Sequence, residues 1–569
     1  MTLLTYPDDK KALLTEPLGN LVLVAPPGCG KTEALALRAK GLLNTGKVSH
    51  PRKILALAFS NRARDNIGAR IQDLIGAAAF RRSVDLTNFH GLAARIYRAH
   101  AATLGLDSQA RMPEKGWMKS ILAATGASYG ERQEAEAALM HAKLRPLTDE
   151  EVLAELEASG SPLAVHAEKT RQQEGRLDYG DLLRHAQCIL GIRQVAKLYA
   201  LHYEAILVDE FQDLTLQQFG IVAAIARDNV TFAGDMGQAI YSFGGAKPAA
   251  VFSALKALPG VRIHEFNESY RSSPAVLDVL NAIGQGLSLP PVVSAHPDEW
   301  IGGGFSGAME CQSTQDEAEQ IRSLATAILG HFPGDSVGVL ARAGYRRKVL
   351  DNSFAKEPTD FRVCVWDNPV HRPEILRLLR RETEKLNRPD LNDLDRLQAV
   401  EGAVVAALDP ADIESIDEAR EACAYLRDVI SQGGSLDAEL LAISSHASPD
   451  KVIGPGLHLL NAHVGKGQQF DWVIILGLEE GHVPMFLAKT QEDLEEEHRA
   501  MVVMASRARH GVIITRSLYS DTRYGPRAAT PSRWWPIVGG ACRHQDSEVL
   551  PQLQLHLESR RDAHRNAAS

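Results

Sequence analysis

The sequence predicts an α/β fold built on parallel sheets and interrupted by helical insertions, and three observations carry that reading. Short apolar runs ending in polar residues recur along the chain: NLVLVAPP (20–27), ILALAF (54–59), VDLTNFH (84–90), YEAILVDE (203–210) and NVTFAGD (229–235). Helical spacing follows the first two, in EALALRAKGLL and NRARDNIGARIQDLI, and strands alternating with helices favour parallel pairing. Between about 100 and 200 the strand signals vanish and Ala, Glu, Leu and Lys dominate at helical spacing, as in EEVLAELEAS.

Taken in order, the chain reads as α/β over 1–100, a helical insertion over 101–200, and α/β again over 201–260. A second α/β pattern covers 261–371, with the strand SVGVLAR (336–342), and a helical, acidic stretch follows over 372–452. The pattern resumes over 453–540 with LHLLNAH, DWVIILGL and HGVIIT, and a polar tail, 541–569, is expected to fray. A chain of 569 residues exceeds one core, so two to four domains are expected. Hydrophobic residues at 45% and charged ones at 23% exclude a largely disordered chain. The net charge of −9 supplies no global basic field for nucleic acid, although a local basic cleft is compatible with it. Six widely spaced cysteines form no CxxC pair, which argues against a zinc ribbon, an iron–sulfur cluster or a disulfide framework. With no signal-peptide core at the N-terminus and no long apolar run, a soluble, cytoplasmic protein without a membrane partner is expected.

The strongest local signal is Ala25-Pro26-Pro27-Gly28-Cys29-Gly30-Lys31-Thr32, between an apolar strand and a helix. Glycines let backbone N–H groups close around phosphate oxygens, and the helix N-terminus adds a favourable dipole. Lys31 would reach the terminal phosphates and the Thr32 hydroxyl would ligate Mg²⁺. ILVDEFQD (206–213) supplies the complement: Asp209 at a strand end to hold Mg²⁺, and Glu210 to deprotonate the attacking water. The DE pair alone is a weak signal, but 178 residues after the P-loop in a parallel sheet it defines a nucleoside triphosphatase.

Seven segments carry a resemblance. DEFQD, GDMGQAIYSFGGA (234–246), NESYRSS (267–273), NAHVGKGQQFD (461–471) and EEEHRAMVVMASRAR (495–509) resemble the ordered motifs of UvrD/Rep/PcrA-like helicases of superfamily 1A. AFSNRARDNIGARI (58–71) and TNFHGLAARIYRAH (87–100) resemble that family's DNA-contacting motifs, and the likeness runs from about residue 4 to 535. It implies two RecA-like P-loop domains, 1A and 2A, each interrupted by a helical insertion, 1B and 2B. It also implies ATP and Mg²⁺ as cofactors, and single-stranded and 3′-tailed duplex DNA as partners. Gln238 would sense the γ-phosphate, Tyr270 would stack on the base, and Arg271 and Arg507 would reach the γ-phosphate from domain 2A. For single-stranded DNA the resemblance and the strand-end placement select Phe59, Asn61, Phe89, His90, Tyr241, Phe243 and His463. Singly, Phe59, Phe89 and Phe243 are more often core residues than stacking platforms, and their place after a strand within polar residues tips the balance toward a platform; Phe243 and His463 are the stronger candidates and Phe89 the weaker.

The chain departs from the family at several points. No glutamine lies near Lys10, where relatives read adenine; Glu33 stands where an arginine is common; and the motif ending in Arg-Gly-Ala reads Gly244-Gly245-Ala246. Gln468-Gln469 replaces Leu-Glu, so Gln469 brings an amide where relatives place a carboxylate near the ribose. Relaxed nucleotide choice and weaker triphosphate binding are therefore expected. The second insertion is short, about 80 residues, and about 60 residues follow the last motif, too few for a fused nuclease domain. The resemblance implies an ATP-dependent, 3′–5′ translocase and helicase of repair or anti-phage defence, the latter beside a separate nuclease. The alternative is an NTP- and DNA-sensing regulatory subunit of Gabija type, with little unwinding of its own.

Overall fold

The computed structural model describes residues 7–114, 117–366, 373–386, 391–408, 419–420, 422–423, 425–427, 430, 435–443, 453–522 and 525–568. The chain divides into two compact units, residues 1–267 and 268–569.

In the first unit six parallel strands form one sheet: β1 (Leu21–Val24), β2 (Lys53–Ala58), β3 (Val84–Asn88), β4 (Tyr203–Val208), β5 (Val230–Gly234) and β6 (Arg262–Glu265). Their order is β3-β2-β4-β5-β1-β6, so every connection crosses over, and the intervening helices cover the sheet. Val22, Leu55, Leu57, Ile206, Val208 and Phe232 form the centre of the core. The carboxyl ends of β1, β4 and β5 lie side by side, which brings together the polar residues that follow each of them. β6 (RIHE) escapes the sequence reading because alternating charged residues mask a sheet-edge strand.

Four helices, Trp117–Ala124, Tyr129–Lys143, Asp149–Ala158 and Pro162–Gln173, share a small core of their own built on Leu122, Leu139, Val152 and Leu156. Capping boxes start two of them, Ser128 with Glu131 and Thr148 with Glu151. This satellite is narrower than the 101–200 insertion that composition suggests. The next helices, Tyr179–Leu190 and Arg193–His202, send Leu182, Leu183, Ile189 and Val195 into the sheet's core. Buried charges join satellite and core: the Lys143 ammonium lies 2.7 Å from Glu168, 2.5 Å from Asp178 and 3.1 Å from Asp181.

The second unit begins with a two-stranded pair, β7 (Glu268–Ser269) and β8 (Val293–Ser294). Its main sheet holds β9 (Phe305–Ser313), β10 (Ser336–Ala341), β11 (Val363–Val365), β12 (Gly456–Asn461), β13 (Phe470–Leu476), β14 (Ala508–Thr522), β15 (Gly525–Ala528) and β16 (His544–Gln545). The order is β11-β12-β10-β13-β14-β9-β16, parallel throughout, and β15 folds back antiparallel on β14. The sequence reading omits β9 because FSGAMECQS lacks a β-branched run, yet its Phe305, Met309 and Cys311 are buried. Helices Pro373–Lys385, Asp393–Ala407 and Leu436–Ala442 bury Ile375, Leu379, Leu397, Val400 and Leu440 together; much of the expected 372–452 insertion lies outside the described residues.

The expectation that the tail frays is overturned. Val549–Ala568 is a helix whose Val549, Leu553 and Leu557 are fully buried, and Arg560 donates to Asp335 at 2.6 Å while lying over the Phe332 ring. A stripe at i, i+4, i+8 docks the helix, and its polar remainder disguises that stripe in the sequence. All six cysteines are free thiols, and no helix among the described residues is long and apolar enough to cross a membrane.

Candidate active site

β1 ends in a turn, Ala25 to Gly30, that leads directly into the helix Lys31–Asn44. Gly28 (φ 80°) and Gly30 (φ 78°) occupy the left-handed region, where a side chain would be strained, so the backbone rather than side chains forms this loop. Ala25 and Cys29 are fully buried, which packs the loop onto the sheet. At Gly30 a Cβ would stand 2.8 Å from the Lys10 ammonium; this buried lysine therefore lies against the last turn of the loop.

At the ends of β4 and β5 the acids converge on Lys31. Its ammonium donates to Glu210 Oε2 at 2.6 Å. Burial alone would lower the Lys31 pKa, but the carboxylates of Glu210, Asp209 and Asp235 override it and hold the ammonium above its ordinary value. Asp209 is pushed up to about 7 by burial and then by the charge of Glu210, with Lys31 opposing. Burial likewise raises Asp235, against the pull of Lys31. Glu210 sits in the left-handed region (φ 55°, ψ 52°), a strained backbone for a non-glycine residue, and strain of this kind collects at functional sites. Gln212, fully buried, holds that conformation: its amide donates to Glu210 Oε2 at 2.6 Å and its Oε1 accepts from the Asp235 N–H at 2.9 Å. Gln238 is buried beside them, donating to Asp235 Oδ2 at 2.9 Å. The sequence reading assigned no role to Gln212 or Asp235; their place in DEFQD and GDMGQ was the available signal.

The donor set fits a divalent cation. Asp209 Oδ1 is buried without a hydrogen-bond donor, next to a lysine and the first turn that carries Thr32. A hard cation takes oxygen ligands of this kind, and it would remove the repulsion that raises Asp209.

The flanking residues divide. Phe59 and Tyr241 stack, with ring centroids 5.4 Å apart and an interplanar angle of 23°, at the ends of β2 and β5. Ser60 caps the helix Asn61–Ile75, and the Asn61 side chain lies outside the described residues, as does that of Phe243. Phe89 is corrected: it is 1% exposed and belongs to the sheet's core, because the helix Phe89–His100 turns it inward to pack with Leu92 and Ile96. His90, one residue on, meets the exposed ring of Tyr179 edge-on at 5.5 Å, and burial lowers its pKa. Tyr179, in the LDYGDLL segment, was missed as a stacking candidate because a helix-start tyrosine is unremarkable in sequence. Glu33 is also not the bare acid it appears to be, since Arg70 grips both of its carboxylate oxygens.

In the second unit Tyr270 is exposed and its hydroxyl donates to Glu268 at 3.2 Å. Arg271 donates to the Ser506 carbonyl at 3.0 Å. Arg507 is buried, donating to Val503 O at 2.9 Å and Ser506 Oγ at 2.8 Å. The segment that follows β7 and the turn between the helix Gln491–Ala505 and the start of β14 thus hold both arginines around Ser506. Gln469 is exposed whereas Gln468 is buried, and Arg342 links His463 (3.4 Å) with Glu497 (2.6 Å) at the ends of β10 and β12.

Two parallel-sheet units, with a phosphate loop, a strand-end acid pair and a glutamine at the ends of adjacent strands, define a P-loop nucleoside triphosphatase of the RecA-like class. Residues 6–259 match the UvrD/REP helicase N-terminal domain and 412–519 the UvrD-like helicase C-terminal domain. The chain belongs to the UvrD-like helicase family. It is 26% identical over 581 residues to the ATP-dependent DNA helicase UvrD2 of Mycobacterium tuberculosis, covering 93% of this chain and 80% of that one. Identity to a probable DNA helicase II homolog of Rickettsia felis is 22%, over 93% of this chain and 94% of the relative. With the ATP-dependent DNA helicase PcrA of Staphylococcus epidermidis it is 25%, over 70% of this chain and 56% of that one.

Proposed function

We propose that this protein is an ATP-dependent motor that moves along single-stranded DNA and unwinds 3′-tailed duplex in the 3′–5′ direction. The observation that carries the hydrolytic half is the knot of Lys31, Glu210, Asp209, Asp235 and Gln238 around the P-loop. In the nucleotide-free protein Lys31 neutralises Glu210. A triphosphate competes for the ammonium, and Glu210, still held by Gln212, becomes free to accept a proton from water. Gln238 orients that water, and Arg271 and Arg507 answer the charge that develops on the transferred phosphoryl group. Thr32 and Asp209 would hold Mg²⁺, which supplies charge neutralisation on the phosphates. The stacked Phe59 and Tyr241, with His90 and Tyr179, offer aromatic faces that any base can meet, which suits sequence-independent binding. Tyr270 stacks on the base of the nucleotide, with Gln469 near its ribose and His463 toward DNA. The domain reading that accompanies this is 1A, 1B, 2A and a short 2B.

A cytoplasmic role in DNA repair, or in anti-phage defence beside a separate nuclease, accompanies this reading. The test is unwinding of a 3′-tailed duplex by the purified protein with ATP and Mg²⁺. Robust unwinding of a 3′-tail and none of a 5′-tail supports the reading. DNA binding and hydrolysis without unwinding would replace it with the regulatory-subunit reading.

A further inference from the structure

One contact connects the phosphate-binding element with the DNA-facing element inside the first unit. Glu33 lies in the first turn of the helix Lys31–Asn44, one residue after Thr32, and Arg70 lies in the helix Asn61–Ile75. Arg70 meets the Glu33 carboxylate through a fork, Nε to Oε2 and Nη2 to Oε1, the latter at 2.9 Å. Both side chains are partly shielded, at 29% and 20% exposure, and the two helices pack against each other. A bidentate arginine–carboxylate pair is directional, since two parallel bonds survive only while both helices keep their relative placement.

Each end of this pair leads to a candidate ligand. On the Glu33 side the helix N-terminus is the phosphate cradle, so a bound triphosphate adds negative charge beside a carboxylate that only its cation keeps tolerable. On the Arg70 side the helix runs back about 13 Å, at about 1.5 Å per residue, to Asn61 and the Ser60 cap. Phe59, stacked on Tyr241, precedes that cap directly. Arg70 also has an alternative acid on its own helix, Asp73, with Nη1 to Oδ2 at 3.9 Å. A shift of the helix can thus exchange a fork between helices for a contact within one.

Resting on the DNA-motor reading above, we infer that Arg70 is a positioning residue which, through Glu33, ties the triphosphate-binding helix to the DNA-contact loop and sets how strongly DNA accelerates hydrolysis. The coupling is reciprocal: DNA on the Phe59 loop favours the fork, and the fork favours the phosphate-competent first turn. The residue touches neither ligand, so removing it changes the ratio of the two activities, not the chemistry.

Steady-state ATPase is measured with and without saturating oligo(dT) for wild type, Arg70→Gln, Arg70→Lys, Glu33→Gln and the Glu33→Gln/Arg70→Gln double variant. Arg70→Gln is expected to keep basal turnover within about twofold while DNA stimulation falls about tenfold. Arg70→Lys keeps charge and bulk without the fork and should lose most of the stimulation as well, which separates positioning from simple charge and from misfolding. The double variant should match Arg70→Gln, as two partners of one interaction do. Wild-type stimulation in Arg70→Lys overturns the inference. So does a proportional loss of basal and stimulated rates, or single-variant losses that multiply in the double. A wild type whose hydrolysis ignores DNA instead overturns the motor reading itself, and it is recognised before any variant is compared.

Discussion

The candidate functional segments of the two units present opposite chemistry. In the first, three carboxylates, two of them buried, crowd one lysine, burial pushes the Asp209 carboxyl up to about 7, and one of its oxygens has no donor. In the second, two arginines donate to backbone carbonyls and a hydroxyl around Ser506. An anionic knot short of positive charge awaits a cation and a nucleotide; the two arginines are aligned by the carbonyls and the hydroxyl to which they donate. On the proposed function, one kind of sheet would supply acid–base chemistry in one unit and electrostatic stabilisation in the other.

The largest effect should come from breaking the first region. Lys31→Ala or Glu210→Gln should lower ATPase kcat at least about a hundredfold, since each removes a contact the transition state needs. Glu210→Gln should still bind nucleotide, and near wild-type turnover in it would remove Glu210 as the base. The arginines sharpen the contrast. Arg271→Ala should cut kcat tenfold or more, with Tm almost unchanged. Arg507→Ala should do the same and also cost about 2 kcal/mol of stability, because buried hydrogen bonds from a charged group are lost. Equal melting of the two variants would contradict their different burial.

Phe89 and Tyr241 separate core from surface within the first unit. Phe89→Ala should destabilise by about 3–5 kcal/mol, as expected for a buried aromatic, and leave the DNA affinity of the folded fraction intact. Tyr241→Ala should weaken DNA binding by about 1–3 kcal/mol with little change in Tm. Reversed outcomes would move Phe89 back to the DNA.

Asp209 adds a pH signature. Its ordinary value is 3.8 and its folded value about 7, so the unfolded chain loses this proton first. Stability of the nucleotide-free, metal-free protein should therefore fall as pH rises between those values. Protons and Mg²⁺ compete for the same carboxylate, so kcat/KM should decline below about pH 7, and raising Mg²⁺ should move that limb to lower pH. A limb indifferent to Mg²⁺ would exclude Asp209 as its origin. The smallest effect concerns nucleotide choice. Lys10 offers donors only at the loop, so GTP or CTP should be hydrolysed within about tenfold of ATP; a preference of a hundredfold or more would refute this.

The sequence by itself determined the class of fold, the alternation of its α/β and helical regions, the P-loop, the acid pair and the motif series. These are local: a strand, a glycine turn and a helix start are written in adjacent residues, and periodicity reads them directly. It also showed that Glu33 and Lys10 are unusual. Only the tertiary structure decided what surrounds them. Arg70 stands 37 residues from Glu33, and only the packing of two helices makes their charges a pair. Phe89 and Phe59 both follow strands within polar segments, and the rotation of one helix start buries the first while a facing tyrosine stacks on the second. Gln212 sits in the motif line, yet only the adjacency of β4 and β5 lets its amide join Glu210 to Asp235. The C-terminal helix looked polar because three buried apolar residues and Arg560 are enough to dock a helix of twenty. Spacing along a chain fixes which residues share a face; which partner that face meets depends on crossovers that bring distant strands side by side.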